Sequence, residues 1–121
     1  MKDYVLDWSQ RSGIVAKINI EEHGESSLGT REALFRITQE ALANIARHSS
    51  ASSVELTLEY EGKTVTMAIK DNGCGFNTSE KHSGLGLSTM RERAEASGGS
   101  FSVISEPDLG TQIVVRMPIT Q

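Results

Sequence analysis

The chain has one cysteine, two prolines and no run of basic residues, and each scarcity closes off a class of function. A lone Cys74 allows neither a disulfide framework nor a cysteine-based zinc site, and it suits a reducing compartment. Without clustered Lys and Arg, and with a net charge of −4 and a pI near 5.3, the chain offers no surface for a phosphate backbone, so nucleic acid is not expected as a partner. No apolar stretch approaches the roughly 20 residues that span a bilayer, and Met-Lys-Asp-Tyr is not the start of a signal peptide. The expected setting is the cytoplasm, with no direct membrane contact by this domain, although a domain cut from a membrane-anchored parent would read the same way. His23, His48 and His82 are scattered. Repeats, low-complexity segments and linkers are missing too, which leaves one domain over residues 1–121. At 37% hydrophobic residues it can bury a core without staples.

What is present is a succession of periodic segments. Lys2 to about Ser12 reads as a short helix carrying Tyr4, Val5, Leu6 and Trp8, a lead-in over residues 1–13 that Gly13 ends. Ile14 to Glu22 alternates, with Ile14, Ala16, Ile18 and Ile20 set against Lys17, Asn19 and Glu21, the pattern of a half-buried strand. Thr30 is the candidate N-cap of the longest helix, which runs without a breaker to about His48. Residues 53–61 and 64–71 alternate on either side of Gly62-Lys63 and form an antiparallel hairpin. Ser88 to Ser97 is a further helix with Leu87, Met90, Arg91 and Ala94 on one face, ended by Gly98-Gly99. Ser100 to Ser105 and Gln112 to Ile119 are the last strands.

Two places carry chemistry. At the end of the hairpin Val65, Met67, Ile69 and Asp71 share the inward face, so a carboxylate closes an apolar run just where the backbone turns glycine-permissive: Asp71-Asn72-Gly73-Cys74-Gly75-Phe76. An acid at the rim of a core can accept a hydrogen bond from a flat, amino-bearing ligand; the same residues also describe a hairpin turn. On the long helix Leu34, Thr38, Ala41, Leu42 and Ile45 gather on the buried side, and Glu40, Asn44, Arg47 and His48 form an adjoining stripe. Glu40 and Asn44 lie one turn apart, two hard oxygen donors at a spacing that suits Mg²⁺. The plainer alternative is a solvated face, with Glu40 paired to Arg47 or His48 and His48 serving the helix dipole. Gly84-Leu85-Gly86-Leu87 leads into the next helix, where glycines let amides approach a phosphate or merely make a tight turn. Residues 72–86 have the length of a short lid over a ligand, or of a plain surface loop.

In this order the pieces resemble the ATP-binding domain of the GHKL superfamily, and most closely the catalytic domain of two-component sensor histidine kinases of the nitrate-sensor and desaturase-sensor type. Arg36 to His48 is similar to that group's N box, Asp71 to Gly75 to its G1 box, and Gly84 to Ala94, ending at Gly98-Gly99, to its G2 region. The likeness covers about residues 14–119. It implies an α/β (α+β) two-layer sandwich of the Bergerat type: a mixed sheet of about five strands with about three helices on one face and solvent on the other. It also implies ATP and Mg²⁺ as cofactors. By resemblance, Asp71 accepts from the adenine amino group and Thr111 supports that end of the pocket. Gly73 and Gly75 let the chain pass close to the nucleotide, and Gly84, Leu85, Gly86 and Leu87 line the phosphate side. Asn44 ligates Mg²⁺; Glu40, the catalytic residue, positions a metal-bound water or assists phosphoryl transfer. Arg47 and His48 lie near the phosphate end. The implied activity is donation of the γ-phosphoryl group to a phosphoacceptor histidine on a dimerisation domain, then onward to a response regulator.

Some features depart from the usual pattern. Arg47 stands where Lys is more usual, Ser49 replaces Ala, and the stretch between Gly75 and Gly84 is short, with no phenylalanine-centred F box. No helix with a phosphoacceptor histidine precedes Tyr4. The expectation is therefore a monomeric catalytic domain that binds Mg-ATP without phosphorylating itself efficiently. The alternatives are an anti-sigma-factor-type serine kinase and a catalytically silent nucleotide-binding docking module.

Overall fold

Apolar residues at every second position put two antiparallel strands at the centre of a five-stranded sheet. The computed structural model describes residues 1–21, 26–75 and 86–119. Along the chain come α1 (Lys2–Ser12), β1 (Val15–Ile20), α2 (Leu28–Asn44), a π-helical turn (Ile45–Ser49), β2 (Ser53–Glu61), β3 (Thr64–Asp71), α3 (Leu87–Ala96), β4 (Ser100–Ser105) and β5 (Thr111–Pro118). The sheet order is β1-β2-β3-β5-β4. β1 runs parallel to β2, with α2 as the crossover, and the other neighbours are antiparallel. The expected mixed sheet and three helices are present.

The two faces of the sheet differ as the alternation requires. Val54, Leu56 and Leu58 of β2, Val65, Met67 and Ile69 of β3, and Ile113, Val115 and Met117 of β5 are buried. They form one core with Ala33, Leu34, Ile37, Ala41 and Leu42 of α2 and with Met90 and Ala94 of α3. On the other face Lys17, Glu55 and Lys70 line up across β1, β2 and β3, opposite charges side by side in solvent. β1 is the edge strand, so its inward residues are only half-buried.

Three expectations need correction. The N-cap of α2 is Ser27, not Thr30: the Ser27 Oγ accepts from Thr30 N at 3.2 Å. Thr30 lies inside the helix, fully buried, where its hydroxyl donates to the Pro118 carbonyl at 2.9 Å. Gly29 and the exposed Leu28 disguised the first turn as loop. The end of α2 also widens. Ser49 Oγ donates to Ile45 O at 2.8 Å, and Ser50, in the left-handed region at φ 56°, ends the turn. Finally, Arg91 is exposed. Its guanidinium lies 5.2 Å from the Phe101 ring centre and donates to the Phe101 carbonyl at 3.0 Å, so its charge stays in water while it braces β4.

α1 is a structural part of the core, with Val5 fully buried, Trp8 7% exposed and Tyr4 edge-on to Phe35 at 5.2 Å. Trp8→Ala should therefore lower the unfolding free energy by about 3–5 kcal/mol, whereas Leu6→Ala, on the solvent side, should change it by no more than about 0.5 kcal/mol. Urea denaturation of both variants decides the point; equal small losses would mean that α1 does not pack.

Candidate functional site

One end of the sheet gathers polar residues on the helix-covered face. Register pairs Ser105 with Thr111 and Thr111 with Asp71, so the three form a row across β4, β5 and β3. Asp71 is 5% exposed, and its Oδ1 accepts from Gly73 N at 2.7 Å. Both meanings of the Asp-Asn-Gly stretch therefore hold: the carboxylate closes its own turn, and it does so while buried. Burial raises the Asp71 carboxyl above its ordinary value of 3.8, and the amides of Gly73 and Thr111 pull it partway back.

The turn after Asp71 is pressed against the end of the long helix. A Cβ at Gly73 would sit 2.6 Å from Ser49 Cβ and 2.8 Å from Ser49 Oγ, so only glycine allows this approach. Cys74 N donates to Ser49 O at 2.6 Å, which locks it. Asn72 accepts from the amides of Ser52 and Ser53 at 2.9 and 3.0 Å and ties the same turn to the start of β2. Gly75 abuts the β4–β5 turn, where the Cys74 carbonyl accepts from Asp108 N at 2.5 Å.

A second group forms where α2 meets the entrance of α3. Glu40 and Asn44 are half-buried one turn apart, and the Asn44 amide oxygen is buried. Gly86, at φ 66°, comes down directly on Glu40: a Cβ there would lie 2.9 Å from the Glu40 carboxyl carbon. As N-cap of α3, Gly86 supplies no side-chain cap, so the first-turn amides that follow it open beside the Glu40 carboxylate. Among the described residues no three His, Cys, Asp or Glu gather to cage a metal. A pair of hard oxygens fits instead a cation that takes one or two protein ligands and completes its shell elsewhere, which is the habit of Mg²⁺.

Two groups of the expected residues are thus assembled, Asp71, Gly73, Gly75 and Thr111 at one place, Glu40, Asn44, Gly86 and Leu87 at the other. The π-helical turn joins them. Arg47 and His48 sit on that turn with exposed side chains, and neither makes an ion pair among the described residues, so the plainer pairing with Glu40 is not found. His48 contributes its carbonyl, which accepts from Cys74 Sγ at 3.4 Å. Cys74 itself is exposed. Gly84, Leu85 and most of the expected lid, residues 76–85, lie outside the described residues. Ser105 was not singled out from the sequence, and Asn72 entered only as part of the Asp71 to Gly75 stretch. The signal for Ser105 was the period of β4, where Phe101 and Val103 point inward and a serine continues their face.

Known proteins share this architecture. The model for the family described as histidine kinase-, DNA gyrase B-, and HSP90-like ATPase matches residues 29–121. The sensor protein VraS of Staphylococcus saprophyticus and that of Staphylococcus aureus are each 38% identical over 122 residues, covering 100% of this chain and 35% of the relative. The chain therefore spans 35% of the length of these curated relatives. Among solved structures, the histidine kinase domain of the Erythrobacter litoralis EL346 blue-light activated histidine kinase superposes with a TM-score of 0.80 at 15% identity, over 98% of this chain and 58% of that one. The Acinetobacter baumannii histidine kinase AdeS gives 0.77 at 16% identity, over 97% and 60%. At such identities the likeness is one of fold.

Since burial outweighs the two amides, the Asp71 carboxyl works against the folded state at neutral pH. Its favourable contribution is complete below the unfolded value near 3.8 and is lost as the pH climbs through the higher folded value. Asp71→Asn keeps an acceptor for Gly73 and removes the charge. Without nucleotide the variant should melt above the parent chain at pH 7, and the gap should close as the pH falls towards 3.8. Thermal melts across pH measure this; a variant that melts lower at pH 7 would show that the charged hydrogen bonds outweigh burial.

Proposed function

The chain belongs to the histidine kinase-, DNA gyrase B- and HSP90-like ATPase family, and from that membership we propose that it is the Mg-ATP-binding catalytic domain of a sensor histidine kinase. It donates the γ-phosphoryl group to a histidine on a dimerisation domain, for relay to a response regulator. The observation that carries the reading is the buried Asp71 carboxylate at the end of β3, set by Gly73 and in register with Thr111. The fold shared with histidine kinases and the 38% identity to sensor proteins favour it over the serine kinase and the silent docking module.

In this reading Asp71 accepts from the exocyclic amino group of adenine, and Gly73 and Gly75 keep the chain close beneath the base. The first-turn amides of α3, opened by Gly86 and Leu87, hold phosphate oxygens, with Gly84 and Leu85 extending that wall. Asn44 holds Mg²⁺ and Glu40 does so directly or through water; the ion supplies neutralisation of charge on the phosphates. Glu40 also orients the attacking group, and Arg47 and His48 add positive charge from the solvent side. Charge placement of this kind is what phosphoryl transfer requires of a protein. No helix among the described residues is long and apolar enough to cross a membrane, and the domain would act on the cytoplasmic side of its parent, as a monomer when isolated.

Calorimetric titration with ATP, with and without Mg²⁺, tests the reading. The parent chain should bind in the micromolar range, about −8 kcal/mol, and Asp71→Asn should abolish binding. Asn44→Ala should remove most of the Mg²⁺-dependent gain while sparing the magnesium-free affinity. Radiolabel from γ-labelled ATP should appear only on an added phosphoacceptor domain; rapid labelling of this chain's own histidines would overturn that division of labour.

A further inference from the structure

The polar row across β4, β5 and β3 contains one residue that the proposed function leaves unused. Ser105 is 6% exposed. Its Oγ donates to the Gly110 carbonyl at 3.1 Å and lies 2.8 Å from Thr111 Oγ1. A serine hydroxyl carries one hydrogen. Both contacts are hydrogen bonds at once only when the serine hydrogen goes to the Gly110 carbonyl and the threonine hydrogen goes to Ser105. Only lone pairs of Thr111 Oγ1 are then left for the open side of the row. Next to it stands Asp71, whose Oδ1 already accepts from Gly73 N at 2.7 Å. That end of the site therefore presents acceptors.

We infer that Ser105 is a specificity-determining positioning residue: by taking the Thr111 proton it fixes the row as all-acceptor, which selects a purine with an amino group at its six-position over one with an oxo group. This rests on the nucleotide reading of the site and adds a residue to it. A 6-amino group brings hydrogens to the row. A 6-oxo group would bring lone pairs against lone pairs, and a site wired for one polarity rejects the other because its own groups are left unmatched. Without the serine hydroxyl, the Thr111 proton has no fixed acceptor and is released to turn towards an oxo group.

The test compares ATP with inosine triphosphate by calorimetry on the full chain. The parent should prefer ATP. Ser105→Ala should narrow that preference by about three- to tenfold, the worth of one neutral hydrogen bond. Ser105→Thr, which keeps the hydroxyl, should restore it. The decisive arm is Thr111→Val: in that background Ser105→Ala should shift the ATP to inosine triphosphate ratio less than about twofold, because the residue through which it acts is gone. A full-sized shift in the Thr111→Val background would assign Ser105 to holding the β4–β5 turn and overturn the inference, as would an unchanged ratio in Ser105→Ala. Should Ser105→Ala fail to fold, Ser105→Cys, near in size and a weak donor, carries the same comparison with the same expected direction. Failure of the parent to bind either nucleotide would instead bring down the nucleotide reading itself, and this inference with it.

Discussion

A carboxylate buried at the end of a sheet strand is the constraint on which the rest depends. Asp71 follows three apolar residues on the same face and is withdrawn from water to 5% exposure, where an ionised group is stable only if donors reach it. The chain supplies the amides of Gly73 and Thr111, which is less than bulk water would give. The carboxylate is left electrostatically incomplete, and a ligand with hydrogens to offer would complete it. That incompleteness also explains the local sequence. Gly73 must lack a side chain to bring its amide back onto Asp71 while packed on Ser49, and Thr111 must begin β5 at the register opposite.

The second dependence is mechanical. The donors Glu40 and Asn44 lie on α2, whereas Asp71 ends β3, and the two would be independent if α2 stopped after Asn44. Instead the helix continues as a wider turn to Ser49, whose carbonyl takes Cys74 N at 2.6 Å. Ser49 is itself held by bonds from its hydroxyl to Ile45 O and from Ala51 N to that hydroxyl. Its hydroxyl thus performs work that an alanine could not, which gives the departure from the usual residue a local reason. A shift of α2 along its axis would be carried through Ser49 into the turn that shapes Asp71, which links the two groups.

Much of this was legible in the chain. Alternation gave β2 and β3 to the residue, because strands with one covered face are under strict period-two control, and the pairing of Glu40 with Asn44 needed only the helical repeat. Other features were not. Ser27 was hidden as the cap of α2 because Leu28-Gly29 looks like loop, and the distinction rests on the buried hydroxyl of Thr30 bonding to Pro118, 88 residues away in sequence. The widened turn at Ile45–Ser49 is invisible to a fixed period. Arg91 fell on the apolar face by spacing, yet the open edge of β4 let it lie over Phe101 instead. Ser105 was missed for a different reason: a serine among inward strand positions has no meaning until register sets it opposite Thr111.

Residues 1–28 precede the stretch matched by the family model, yet relatives align with the whole chain, and the architecture gives a reason. α2 carries the two oxygen donors and is also the crossover between parallel strands β1 and β2, paired from Val15 and Ser53 to Ile20 and Leu58. A crossover helix is held at both ends by the strands it joins. β1 is an edge strand with little buried surface of its own, and α1 compensates by closing over it and reaching α2 through Tyr4 and Phe35. Without α1, β1 would be held chiefly by its ladder to β2, and the N-terminal anchor of α2 would loosen. Glu40 and Asn44 sit in the C-terminal half of that helix, where a small rotation becomes a displacement of their oxygens relative to Asp71. The placement of Glu40 and Asn44 therefore depends on a helix at the other end of the chain's first crossover.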